Sequence, residues 1–170
     1  MTEQINSRAF LGFGANLGMP LEQFRTARRA LAAQPQIEIL AASPLYRTPA
    51  VGGPAGQPDY LNGVLQIGTR LPPEQLLEHC RTLEDAAGRC RELHWGPRPL
   101  DIDLLLYDEL ILDTPHLSLP HPRLHQRHFV LLPLVDLAPQ QRHPLLRKTA
   151  RELLEMLPAA EGICKLEETW

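Results

Sequence analysis

Residues 9–14 of the chain read Ala-Phe-Leu-Gly-Phe-Gly, a short apolar run entering a glycine turn, and this predicts a first strand. Beyond it Pro20 suits a helix start, and Leu21, Phe24 and Leu31 keep an apolar stripe at helical spacing. Residues 37–43 predict a second strand, and the proline- and glycine-rich stretch 48–58 predicts an exposed loop, because so many of its positions resist regular pairing. A third strand follows at 60–69. From Pro72 to Ala87 the residues Leu76, Leu77, Cys80 and Leu83 recur at helical spacing, and Gly88 closes the element as a helix-ending glycine does. The arginine-rich stretch 89–99 is punctuated by Gly96, Pro97 and Pro99 and predicts a loop, while 100–107 is the most apolar strand candidate in the chain.

The resulting order, β-α-β-β-α-β, predicts the split β-α-β arrangement, an α+β antiparallel sheet with helices on one face. A hairpin around Asp108 and Glu109, a helical segment at 129–138 and a helix from about 147 to 157 are expected as additions. At 170 residues, one domain spanning 1–170 is expected, large enough to bury a core without staples.

Composition narrows the function. The first residues carry no apolar signal core and no stretch is long enough to span a bilayer, so a cytoplasmic, membrane-free protein is expected. Cys80, Cys90 and Cys164 form no Cys-x-x-Cys pair, which points to free thiols rather than to a disulfide framework or a zinc site. A net charge of −3 argues against a nucleic-acid module dominated by phosphate contacts. Lys148 and Lys165 are the only lysines, so mechanisms that need a lysine early in the chain, such as that of the P-loop enzymes, are excluded. Phosphate, if bound, is gripped by arginine and metal.

Asp101 and Asp103 are the leading chemical candidates. In a strand, residues i and i+2 share a face at roughly 6.5 to 7 Å, so the two carboxylates converge. With Leu100, Ile102, Leu104 and Leu106 expected on the opposite face, such a pair repels itself unless a cation lies beside it. Magnesium suits hard oxygen ligands with a phosphate partner better than zinc does. Taken alone, an Asp-x-Asp is more often a structural partner of nearby arginines. Here Arg89, Arg91 and Arg98 precede the pair on a glycine- and proline-bearing loop and offer planar donors for phosphate oxygens, which points to phosphoryl chemistry.

The string Gly88-Arg-Cys-Arg-Glu-Leu-His-Trp95-Gly-Pro-Arg98-Pro-Leu-Asp101-Ile-Asp103 resembles the signature of the dihydropterin pyrophosphokinases of folate biosynthesis. The likeness continues through Pro120-His121-Pro122, Arg127-His-Phe129 and Leu137-Ala-Pro139. It extends backward through Tyr46-Arg-Thr48-Pro49, Gln57-Pro-Asp-Tyr60-Leu-Asn62 and Gly14-Ala-Asn16-Leu-Gly18, and so covers about residues 9–140. The resemblance implies a ferredoxin-like α+β fold and transfer of a pyrophosphoryl group from ATP to the hydroxymethyl group of 6-hydroxymethyl-7,8-dihydropterin, releasing AMP. It also implies two magnesium ions on Asp101 and Asp103, and a monomer. Arg89 and Arg98 match the catalytic-loop arginines of the family. Glu84, Arg91, Ile102, His121 and Arg127 are implied as ATP contacts. Thr48, Pro49, Val51, Tyr60, Asn62, Trp95 and Phe129 are implied as the pterin pocket, where a flat ring with an amide-like edge needs aromatic faces and paired donors and acceptors. The chain departs from the family at Ala15, usually Ser, and at His94, commonly Arg or Lys.

Two other classes fit parts of the pattern. A metal-dependent phosphodiesterase or nuclease also uses carboxylates with arginines, but the aromatic and Asn62 pocket speaks against it. A non-catalytic nucleotide sensor of the same fold would tolerate loss of Asp103 or Arg98. The run Gly12-Phe-Gly14-Ala-Asn-Leu-Gly18 invites a dinucleotide reading, but its last glycine is one residue late and no alternating parallel series follows. His121, His125 and His128 lack the companions of a zinc site.

Overall fold

A computed structural model describes residues 7–50, 55–88 and 99–170. The chain order is β1 (Ser7–Ala15), α1 (Pro20–Ala33), β2 (Ile37–Ala42), β3 (Tyr46–Thr48), β4 (Tyr60–Thr69), α2 (Pro73–Ala86) and β5 (Asp101–Tyr107). It continues through β6 (Leu112–Asp113), β7 (Ser118–Leu119), α3 (His128–Leu137), α4 (Ala150–Glu155) and β8 (Cys164–Lys165). The main sheet runs β5-β1-β4-β3-β8, with β2 also paired to β4. Every pairing in it is antiparallel.

The helices cover both faces of this sheet, not one as expected. On one face Ala9, Leu11, Phe13 and Ala15 of β1 meet Phe24, Ala27 and Leu31 of α1 and Leu76 and Cys80 of α2. On the other, Phe10, Val64, Leu105 and Leu106 meet Val130, Leu131 and Leu134 of α3 and Ala150 and Leu153 of α4. The reason is visible in β4 and β5, whose near-continuous apolar runs leave an apolar surface on each side that must be covered.

Four local expectations also change. Leu106 does not share a face with Ile102 and Leu104: Leu11 pairs with Leu104 and Phe10 with Leu106, so Leu105 is an extra residue that bulges β5 and turns Leu106 toward α3. The expected second strand is followed by a separate short strand, β3, which fills the stretch left unassigned before the expected loop and takes in Thr48. Pro44 cannot donate to a ladder, and at the break the Ser43 hydroxyl accepts from the Val64 amide at 2.8 Å while Ser43 N–H donates to Val64 O at 2.9 Å. The hairpin after β5 lies between β6 and β7; Asp108, at φ 47°, forms a turn before it and accepts from the Arg8 amide at 2.8 Å. The last helix is shorter than expected, α4 being held by a capping box between Thr149 and Glu152.

Candidate active site

Asp101 and Asp103 open β5, on the face that α3 covers. The register places Gly14 opposite Asp101 and Gly12 opposite Asp103, then Asn62 opposite Gly14, then Tyr46 opposite Asn62. Directly opposed residues share a face, so Asp101 and Asp103 look across two glycines of β1 toward Asn62 and, two residues earlier on β4, Tyr60. Successive strands lie about 4.8 Å apart, so roughly 10 Å of backbone separates the carboxylate strand from Asn62. The glycines keep that interval free of side chains of their own. A Cβ on Gly14 would come to 3.4 Å from Asn62 Oδ1 and 3.9 Å from a Tyr60 ring carbon.

Asn62 is buried, and its Nδ2 donates to Thr48 Oγ1 at 2.6 Å, which sets the amide so that Oδ1 turns toward Gly14. Pro49 follows Thr48 directly. Asn16, also buried, donates to Gln57 Oε1 and to Pro58 O, both at 3.1 Å, and so fastens the end of β1 to the segment entering β4. Asn16 belongs to the glycine motif of the sequence, but its role as a fastener had no local signal.

His121 and Arg127 approach the carboxylates from the segment between β7 and α3. His121 Nε2 and Arg127 Nη1 each lie 3.9 Å from Asp103 Oδ2. His121 Nδ1 accepts from the Arg123 amide at 3.1 Å, which assigns the proton of the neutral ring to Nε2, facing Asp103. Burial first, then the Arg127 guanidinium, push His121 down to about 4, against the pull of Asp101. The ring is therefore a neutral donor at pH 7. Arg127 stacks at 5.4 Å over the ring of Phe129, which is half-buried at the start of α3.

Glu84 and Ile102 are placed differently from the rest. Glu84 is buried on α2, on the opposite face of the sheet, and its carboxylate accepts from the Ile102 amide at 3.0 Å. The Ile102 side chain lies in the core beneath the two aspartates. Glu84 thus pins the strand at the residue between them. The field of Glu84 and Asp103, after the larger effect of burial, holds the Cys80 thiol up at about 12, so this cysteine is a packed apolar group. Arg89, Arg91, Trp95, Arg98 and Val51 lie outside the described residues.

Two carboxylates on one strand face, with a neutral imidazole donor and a guanidinium beside them, form a set of hard oxygen ligands bordered by anion-binding groups. That set fits magnesium with a polyphosphate. Among the described residues no helix is long and apolar enough to cross a membrane.

The chain is also similar to known proteins. The 7,8-dihydro-6-hydroxymethylpterin-pyrophosphokinase (HPPK) family matches residues 10–139. A 2-amino-4-hydroxy-6-hydroxymethyldihydropteridine pyrophosphokinase of Pseudomonas aeruginosa is 44% identical over 161 residues, covering 94% of this chain and 96% of that protein. One of the same name from Methylorubrum extorquens is 41% identical, covering 95% and 99%. The crystal structure of Plasmodium falciparum HPPK-DHPS with pteroate shares the fold, with TM-score 0.69 at 15% identity over 91% of this chain; the chain spans 43% of that longer one. The chain belongs to the 7,8-dihydro-6-hydroxymethylpterin-pyrophosphokinase family.

Proposed function

We propose that Asp101 and Asp103 hold two magnesium ions against ATP, and that Asn62 and its neighbours hold 6-hydroxymethyl-7,8-dihydropterin so that its hydroxymethyl oxygen meets the β-phosphorus. The pyrophosphoryl group passes to that oxygen and AMP leaves. The observation that carries this reading is the shared sheet face, on which the carboxylate pair and Asn62 are separated only by Gly12 and Gly14. The order β5-β1-β4, with β2 and β3 both on the outer side of β4, supports the ferredoxin-like arrangement for one domain.

Such transfers depend on positioning and charge neutralisation more than on a strong base. Bound magnesium would neutralise phosphate charge and orient the triphosphate. His121 Nε2 can donate to a phosphate oxygen without adding charge, and Arg127 supplies fixed positive charge on the same side. Arg89 and Arg98 stabilise the charge on the transferring group and Arg91 contacts the nucleotide, and a guanidinium keeps its charge through the reaction. Glu84 acts through Ile102: by holding that amide it keeps the two aspartates in place, which leaves the Ile102 carbonyl on the outer edge of β5 for the nucleotide.

On the pterin side, Asn62 can read the amide-like edge of the ring, because Thr48 already fixes which end of its amide faces Gly14. Tyr60 and Phe129 offer ring faces, Pro49 continues the wall begun by Thr48, and Val51 and Trp95 are assigned to the same pocket by the family resemblance.

The test is product identification with ATP, magnesium and hydroxymethyl-dihydropterin. The expected products are AMP and the dihydropterin diphosphate, formed only when both substrates are present and abolished by chelating the metal. Asp103→Asn should lower kcat by roughly 100-fold or more, the scale on which one electrostatic contact to a reacting group counts. AMP or ADP released without pterin, or unchanged turnover in the variant, would overturn the reading.

A further inference from the structure

Residues 162–170 run along the free edge of β3 and grip it from both faces of the sheet. Tyr46 pairs with Lys165 and Arg47 with Cys164, and the Leu166 amide donates to Leu45 O at 2.8 Å. Because Lys165 is paired with Tyr46, it lies on the face of the candidate site. There its Nζ is 3.2 Å from Asp136 Oδ1 on α3 and 6.0 Å from the Tyr46 ring. The Tyr46 hydroxyl donates to the same carboxylate, and burial together with Asp136 pushes its pKa upward.

Past Leu166 the segment crosses to the opposite face. The Trp170 ring packs against Phe13 and Phe24 with centroids 5.0 and 5.1 Å away, and its Nε1 donates to Ser43 O at 2.8 Å. Arg28 donates to the main-chain oxygen of Trp170, and Arg25 to that of Thr169 at 2.8 Å. The indole fits because residue 63 is glycine: a Cβ there would come to 2.8 Å from Trp170. At the other end Gly162 lies against Pro49, where a Cβ would come to 3.1 Å from the proline ring.

We infer that this strap is a positioning element for the pterin side of the site, with Trp170 and Lys165 as its two anchors. The inference rests on the assignment of Thr48 and Asn62 to the pterin. Strand β3 has only three residues and pairs with β4 on one side; the strap supplies its other edge. Strands this short are held by their neighbours more than by their own pairing. The relation between Thr48 and Asn62, a single 2.6 Å hydrogen bond from β4 to β3, therefore depends on β3 staying in register. Trp170 lies beneath Gly63, the residue next to Asn62. The carboxylates on β5 are at the far end of the strand order from the strap, which meets β1 through Trp170 on Phe13 and has no strand pairing with β5. Loosening the strap should thus disturb pterin binding and spare ATP.

Steady-state kinetics separates the two substrates. Trp170→Ala should raise KM for hydroxymethyl-dihydropterin about tenfold while KM for ATP stays within about twofold, and Lys165→Met should raise the pterin KM about threefold. Asn62→Ala serves as reference and should raise it as well. If Asn62→Ala has no effect, the pterin assignment fails and the inference with it. If Asn62→Ala raises the pterin KM but the strap variants leave it unchanged, or raise both KM values equally, the strap is structural only and the inference alone is overturned. Should Trp170→Ala not fold, Trp170→Leu, which keeps an apolar filling but loses the bond to Ser43, and Lys165→Met decide the matter by the same criterion.

Discussion

His143 shows how a single buried ring sets the response of this fold to acid. Its Nδ1 accepts from the amides of Leu145 and Leu146 at 3.3 and 3.0 Å, so protonation at that nitrogen would break both bonds. Burial first, then the nearby His125, hold its pKa below the ordinary value of 6.5. A base with a lowered folded pKa binds its proton more readily in the unfolded chain, so stability is complete above the unfolded value and is lost as pH falls below it. His121 is shifted the same way and adds to the trend. Urea unfolding between pH 7.5 and 5 should therefore show stability declining below about pH 6.5, and His143→Gln should flatten part of that slope. An unchanged slope in the variant would show that His143 carries none of it. The aspartate pair was legible at this scale because period two alone places Asp101 and Asp103 on one face. What faced them was not legible, since glycines 12 and 14 and Asn62 arrive through strand pairing.

At the scale of the element, α4 depends on its cap. Thr149 Oγ1 accepts from the Glu152 amide at 3.2 Å, and Glu152 Oε1 accepts in return from the Thr149 amide at 3.2 Å. Only six residues long, the helix has little other local support. Thr149→Ala should cost about 1 kcal/mol of stability in urea unfolding, with KM values unchanged because α4 packs behind α3. Most elements were readable from apolar spacing, including β1, α1, β4 and α2. The misread ones share a cause. The break at Pro44 and the bulge at Leu105 are responses to neighbouring strands: Ser43 borrows a partner from Val64, and Leu105 fills the space over Gly12, where a Cβ would sit 3.3 Å from its side chain.

For the whole molecule, the second covered face is the decisive feature. Leu131 is fully buried on α3 among Phe10, Val64 and Leu105, so Leu131→Ala should cost about 2 to 5 kcal/mol, read from the urea midpoint at pH 7. Since Arg127 caps the start of α3 and Phe129 lies in its first turn, the same variant should lower kcat/KM, whereas Thr149→Ala should not. Equal kinetic effects of the two would mean that α3 does not position the site.

The sequence by itself determined the order of the elements other than β3 and β8, the carboxylate pair, the absence of an early lysine, and through its motifs the family to which the chain belongs. These are local properties, written in spacing and residue type. The tertiary structure decided that α3 and α4 cover the face on which the site lies, that Glu84 serves from the opposite face, and that Trp170 packs under Gly63. Each of these joins residues far apart in the chain. Pairing and burial between distant segments depend on how whole surfaces fit, which no local pattern of apolar and polar positions encodes.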